Sequence, residues 1–111
     1  MRIISETRLK RFLASSPRRA SAEKSVKRWI RLTRDAAWKN PADVKLTFGV
    51  TADFVESDNG SELTVFDIHN NAYRMVTAIH YVKTRPAKGR VYVLAIMDHA
   101  EYDRQKWKRD F

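Results

Sequence analysis

"LTVFDIHNNAYRMVTAIHYV" (Leu63–Val82) is the stretch that decides the fold. Two apolar runs, LTVFDIH (63–69) and AYRMVTAIHYV (72–82), flank a pair of asparagines. A two-residue hairpin turn needs positive φ at both central positions, and asparagine tolerates it. The stretch therefore predicts an antiparallel hairpin in which His69 pairs with Ala72, so that paired positions sum to 141. In that register Arg74 faces Asp67. Alternation along the strands puts both on the sheet face that carries Val65, Val76, Ala78 and His80.

Toward the C-terminus a basic loop, KTRPAKG (Lys83–Gly89), leads into RVYVLAIMD (Arg90–Asp98), a third strand. Joining Val82 to Arg90 makes the second set of pairs sum to 172, which places Arg74 beside Asp98 and within a residue of His99. HAEYD (His99–Asp103) then opens a short helix that is expected to run to about Asp110. His99, Glu101, Tyr102 and Asp103 at the exit of a buried strand fit either a helix cap or a chemical site. Tyr102 lies one helical turn beyond His99 and can face the same way.

Toward the N-terminus, RII (Arg2–Ile4) reads as a short edge strand, and Ser5 as a helix N-cap with Glu6 in the first turn. Leu9, Phe12 and Leu13 give that helix an apolar stripe, and Ser16-Pro17 stops it. A longer helix should begin between Pro17 and Ser21 and run to about Lys39. Its buried face is Ala22, Val26, Trp29, Ile30, Thr33 and Ala37, and Asn40-Pro41 ends it. Residues 41–62 are ambiguous: Phe48, Val50, Phe54 and Val55 call for burial, and Asp58–Ser61 is a turn. Two helices followed by a three-stranded meander predict a single α+β domain over 1–111. It is a sandwich, with an N-terminal helical hairpin packed on a small antiparallel sheet and a short C-terminal helix closing the chain.

At 111 residues and 43 % hydrophobic, the chain supports one modest core. It has no cysteine, which excludes disulfides and thiolate metal sites and suits a reducing cytoplasm. The longest apolar run is seven residues, Val91–Met97, well short of the ~18 of a membrane span. The Arg- and Ser-rich first twenty residues look like a transit peptide, but they also read as the first strand and helix. Charge is lopsided. Residues 1–40 carry twelve basic and three acidic side chains and hold the whole net charge of +9, while the other 71 carry ten of each. Lys27, Arg28 and Arg31 lie in that basic block, which suits a polyanion such as RNA, an acidic partner, or simply a solvated face.

Arg74, His99 and Tyr102 each have a structural reading: a cross-strand ion pair worth ~0.2–1 kcal/mol, a first-turn helix residue and a core ring. Together, beside a basic field, they suit phosphate chemistry. Cleavage of RNA needs a base for the 2′-OH, a cation for the charge building on the phosphorane and an acid for the 5′ oxygen. His and Tyr exchange protons, and Arg forks onto phosphate oxygens. No metal is needed, and His69, His80 and His99 lack ligand spacing, so neither metal nor other cofactor is expected.

Three stretches, WKNPADVKLTF (38–48), VFDIHNNAYRMVTAIHYVK (65–83) and RVYVLAIMDHAEYD (90–103), resemble the HigB family of type II toxins. That family belongs to the RelE-like superfamily of ribosome-dependent mRNA endonucleases. The likeness covers about Trp38 to Asp103 and is most specific at NNAYRM and HAEYD. It implies a RelE/ParE-like fold and a bacterial cytoplasmic toxin that cleaves translated mRNA at the ribosomal A site and arrests translation. It also implies silencing by a helix-turn-helix antitoxin, HigA, with DNA engaged only through that antitoxin. By the resemblance, Arg74 takes the place of the central phosphate-binding arginine, and His99 and Tyr102 form the terminal His-x-x-Tyr. Lys45 and Lys83 take basic positions flanking the sheet. Leu94 departs from the pattern, since relatives often carry a basic residue in the last strand. Arg90 and Lys83 are then the cations able to supply that charge. Asp98 departs as well, where a small neutral residue is usual. The competing class is a non-enzymatic ParE-like toxin, which poisons DNA gyrase by protein contact. A plain RNA-binding module has no obvious platform of stacking aromatics.

Overall fold

The computed structural model describes residues 1–84 and 89–111, so residues 85–88 of the expected basic loop lie outside the described residues. The described residues form five strands: β1 (Arg2–Ile4), β2 (Ala52–Glu56), β3 (Glu62–Ile68), β4 (Tyr73–His80) and β5 (Arg90–Asp98). The helices are α1 (Thr7–Ala14), α2 (Pro17–Ala20), α3 (Glu23–Asp35), α4 (Pro41–Phe48) and α5 (His99–Asp103). The strands form one sheet in the order β1-β5-β4-β3-β2. β1 runs parallel to β5 and the other pairs are antiparallel, so the sheet is mixed and larger than the expected meander.

The first hairpin has the expected register. Thr64 faces Thr77, Asp67 faces Arg74 and Ile68 faces Tyr73. Ala72 N–H donates to the His69 carbonyl at 3.1 Å, and Asn70 and Asn71 hold φ of 53° and 70°. The second register differs from expectation. Tyr73 faces Asp98, Arg74 faces Met97 and Val76 faces Ala95; a bulge at Val76/Thr77 then shifts the pairs to Thr77–Val93 and His80–Arg90. Arg74 is therefore beside Met97, and Asp98 is on the opposite face of the sheet. Two changes combine: at the far end of the hairpin Val82 leaves the sheet and donates its N–H to the Trp38 carbonyl at 2.8 Å, and the bulge then slips the register by one residue, which sends Asp98 to the other face. The pairing starts two residues earlier than a strand running to Val82 would allow, and the bulge re-aims Leu94.

The helices also depart from the sequence pattern. Ser5 has φ 68° and does not cap α1 with its side chain. Glu6 instead accepts from Arg34 at 2.7 Å through both carboxylate oxygens, which ties α1 to α3. Ser16-Pro17 ends α1 but also starts α2, because the Ser16 hydroxyl accepts from Arg19 N–H at 3.1 Å and proline suits the first helical position. One expected helix is thus two, α2 and α3, broken at Ser21–Ala22. It ends at Asp35 rather than Lys39, because the Met1 amino group donates to the carbonyls of Thr33, Arg34 and Ala36 and satisfies the last turn. Asn40-Pro41 likewise opens α4: the Asn40 side chain accepts from Asp43 N–H at 3.0 Å.

The helices cover one face of the sheet. Leu9, Phe12, Val26, Trp29, Trp38 and Val44 meet Phe66, Ile68, Tyr73, Met75, Val91 and Val93 in the main core. Trp29 and Phe66 touch edge to face at 5.4 Å. The other face carries a smaller cluster, Leu63, Val65, Val76 and Met97, capped by Trp107. Trp107 reaches it because the C-terminal helix does not run to Asp110. Gln105 turns left-handed at φ 57°, and a 3₁₀ turn, Lys106–Arg109, folds back over the sheet. No described helix is long and apolar enough to cross a membrane.

Candidate functional site

Arg74 projects from β4 onto the face that the 3₁₀ turn only partly covers. Its Nε lies 3.0 Å from Asp67 Oδ1 across the hairpin, with the two side chains 14 % and 26 % exposed. Its Nη1 donates to the Asn71 carbonyl at 3.0 Å, so the hairpin turn itself orients the guanidinium. That cation sits 5.6 Å from the centroid of the Tyr102 ring, a cation–π contact.

α5 carries His99 and Tyr102 one helical turn apart. The Asp98 carboxylate accepts from Glu101 N–H at 2.9 Å and caps the helix. Asp98 is therefore a capping group and not a second acid beside Arg74. The backbone N–H of His99 donates to the Ala72 carbonyl at 3.2 Å, which pins the helix start beside the residue two before Arg74 in the sequence. His99 Nδ1 lies 2.7 Å from Asp103 Oδ2, one turn along the helix, with both side chains more than half exposed. Nδ1 is thereby engaged and Nε2 is left as the nitrogen able to face a ligand.

Tyr102 is held from behind. Its ring stacks on Trp107 at 5.1 Å, and Trp107 Nε1 donates to the Tyr102 carbonyl at 3.0 Å. Burial pushes its phenol above the ordinary tyrosine range; the carboxylates of Asp53, Asp67 and Asp103 push the same way, and the Arg74 guanidinium opposes them. The phenol is therefore neutral at physiological pH and available as a hydrogen-bond donor. Among the described residues no three His, Asp or Glu side chains converge as a metal cage would require.

The other cations expected from the sequence are spread over the surface. Arg28 of α3 lines a cleft of about 190 Å³ with Asp67, His69, Asn70 and Asn71, next to the turn that orients Arg74. Lys27 pairs with Glu23 at 2.9 Å, and Lys27 and Arg31 line a separate groove between α1 and α3. Lys45 donates to the Ala52 carbonyl and lies 5.6 Å from the Phe54 ring, at the α4–β2 junction. Arg90, opposite His80, and the exposed Lys83 stand at the other end of β4 from Arg74. Leu94 packs against the cluster that Trp107 and Tyr102 share. One participant escaped the sequence reading: Trp107 carried no signal, because its contact depends on the left-handed turn at Gln105. Asp103 was named in the group after β5 but not as the partner of His99, which its spacing of four would have suggested.

The model of the HigB toxin family, described as the RelE-like toxic component of a toxin–antitoxin system, matches residues 22–105. No curated protein sequence matches the chain. The matched span holds Arg74, His99 and Tyr102, and a toxic component implies an antitoxin as its partner. The chain belongs to the HigB family of RelE-like toxins.

Proposed function

We propose that this toxin is a ribosome-dependent, metal-independent mRNA endonuclease, held in check by a HigA-like helix-turn-helix antitoxin. The observation that carries the reading is the meeting of Arg74 and Tyr102 at 5.6 Å, with His99 pinned two residues away by the Ala72 carbonyl. In this reading the Arg74 guanidinium binds the scissile phosphate and stabilises the charge that develops on it. His99 Nε2 takes the proton of the 2′-OH as that oxygen attacks phosphorus. The bond to the 5′ oxygen breaks, and Tyr102 supplies the proton to that leaving oxygen. The Asp103 contact at His99 Nδ1 supports the role of His99, and the protonated Tyr102 phenol beside Arg74 has a proton to give. Arg28 and the basic helices extend the cationic surface toward ribosomal RNA, and Lys45, Lys83 and Arg90 serve as further RNA contacts.

Primer extension on cellular mRNA after induction of the toxin tests the proposal. New 5′ ends within translated codons are the expected result. Intact messages together with blocked gyrase supercoiling would overturn it in favour of a ParE-like toxin acting by protein contact.

A further inference from the structure

Beyond Arg74, the open sheet face has a second cluster at its opposite end. Arg2 of β1 faces Arg90 of β5, and Arg90 in turn faces His80 of β4. Tyr92, two residues along β5, faces Ile4 on one side and Ala78 on the other. Paired positions point to one side of a sheet, so Arg2, Arg90, His80 and Tyr92 share the face that carries Arg74. Tyr92 belongs to neither hydrophobic cluster. Arg2, His80 and Arg90 are exposed and Tyr92 is half-buried.

Two features of this corner call for a ligand. Like charges directly opposite one another destabilise a sheet, yet Arg2 and Arg90 are neighbours, and among the described residues neither has an ion-pair partner. Beside them the rings of His80 and Tyr92 lie with centroids 5.0 Å apart and planes tilted by 57°, a small aromatic surface open to solvent. The register positions around it (Arg2, Ile4, Ala78, His80, Arg90 and Tyr92) include no carboxylate.

We propose that this corner is a nucleotide subsite for single-stranded RNA, with a phosphate held between Arg2 and Arg90 and a base stacked on Tyr92 and His80. Fixed cations beside an aromatic surface are the combination that binds single strands without reading their sequence. His80 is six residues from Arg74 along β4, which is about 20 Å at the rise of a strand. A strand bound in both places runs along the sheet, so the subsite positions RNA rather than cutting it. The assignment rests on the reading of the toxin as RNA-directed, but not on the chemistry at Arg74.

The test is fluorescence anisotropy of a short labelled single-stranded RNA, in an Arg74→Ala background that leaves the probe intact. Tyr92→Ala should weaken binding roughly 5- to 100-fold with an unchanged salt dependence. Arg2→Gln combined with Arg90→Gln should weaken it and also lower the salt slope by about two phosphate contacts. Tyr92→Phe, which keeps the ring, should bind as well as the parent and serves as the folding control. Unchanged affinity in both Tyr92→Ala and the double arginine variant overturns the subsite, as does equal affinity for duplex DNA of the same length. Cleavage is read separately in the chain with Arg74 intact. Loss of this binding effect with cleavage present counts against the subsite alone, whereas ring- and arginine-dependent binding without cleavage counts against the nuclease reading alone.

Discussion

The guanidinium of Arg74 stands 5.6 Å from the ring of Tyr102 although 28 residues separate them, because α5 starts directly against the end of β4. If this contact marks the cleavage site, substitutions there should affect activity far more than folding. Arg74→Ala should cost about 10²–10³-fold in single-turnover cleavage on ribosome–mRNA complexes, as loss of a transition-state donor does. His99→Ala and Tyr102→Phe should each cost about 10²–10⁴-fold. Thermal melts of the same proteins should stay near the parent value. A fully active Arg74→Ala variant would remove the site.

Asp67 occupies the Nε of Arg74, so a phosphate must compete with a carboxylate for the same cation. Asp67→Asn should therefore lower KM for the ribosome–mRNA substrate while kcat holds. The lost pair is worth ~0.2–1 kcal/mol, and the melting temperature should fall by no more than about 5 °C. An unchanged KM would mean that Asp67 does not shield the arginine.

Burial raises the Tyr102 phenol above the ordinary tyrosine range, and Tyr81 is raised for the same first cause. The unfolded chain releases these protons first as pH rises. Their contribution to stability is therefore complete below pH 10 and is lost as pH climbs through the folded values. Denaturant titrations across the alkaline range should show this decline, and Tyr102→Phe should reduce its slope. A slope identical to the parent's would place Tyr102 in a solvated environment.

Arg28 lines the cleft beside Asn71, whereas Lys27 and Arg31 line the α1–α3 groove. Reversing all three to Glu should weaken ribosome co-sedimentation and flatten its salt dependence. Arg28→Glu alone should account for most of the loss in cleavage, being nearest the hairpin turn. Unchanged co-sedimentation of the triple variant would make the basic block a solvated face.

Gly89 ends the loop before β5 under close contact. A Cβ there would lie 2.8 Å from the His80 carbonyl oxygen and would also strike the Met1 side chain. Arg2 N–H donates to the Gly89 carbonyl at 2.9 Å, so the strain would pass into the β1–β5 pairing. Gly89→Ala should destabilise the fold by about 1–3 kcal/mol, read from chemical denaturation. A neutral result would show that β1 can shift to accommodate it.

The features legible in the sequence were local ones. NNAYR holds both the turn and the register, because asparagine at positive φ closes a two-residue loop and period-two alternation leaves one way to bury Phe66, Ile68, Tyr73 and Met75. β5 matched its apolar run residue for residue, from Arg90 to Asp98. HAEYD marked the start of α5, and its i, i+3 spacing places His99 and Tyr102 one helical turn apart.

Tertiary contacts decided the rest. RII is too short to declare its partner, and the parallel pairing of β1 exists only because β5 returns beside it. The register of the second hairpin depended on Val82 spending its N–H on Trp38 rather than on the sheet, a contact that no local pattern encodes. The one-residue bulge at Val76/Thr77 moved Asp98 off the arginine's face, where its carboxylate caps α5. The Tyr102 environment likewise came from Trp107 folding back past Gln105, across an apolar cluster that period and propensity could not locate. Local sequence set the dihedral preferences and the alternation of faces, while competition for backbone partners and buried area between distant segments set which neighbours those faces met.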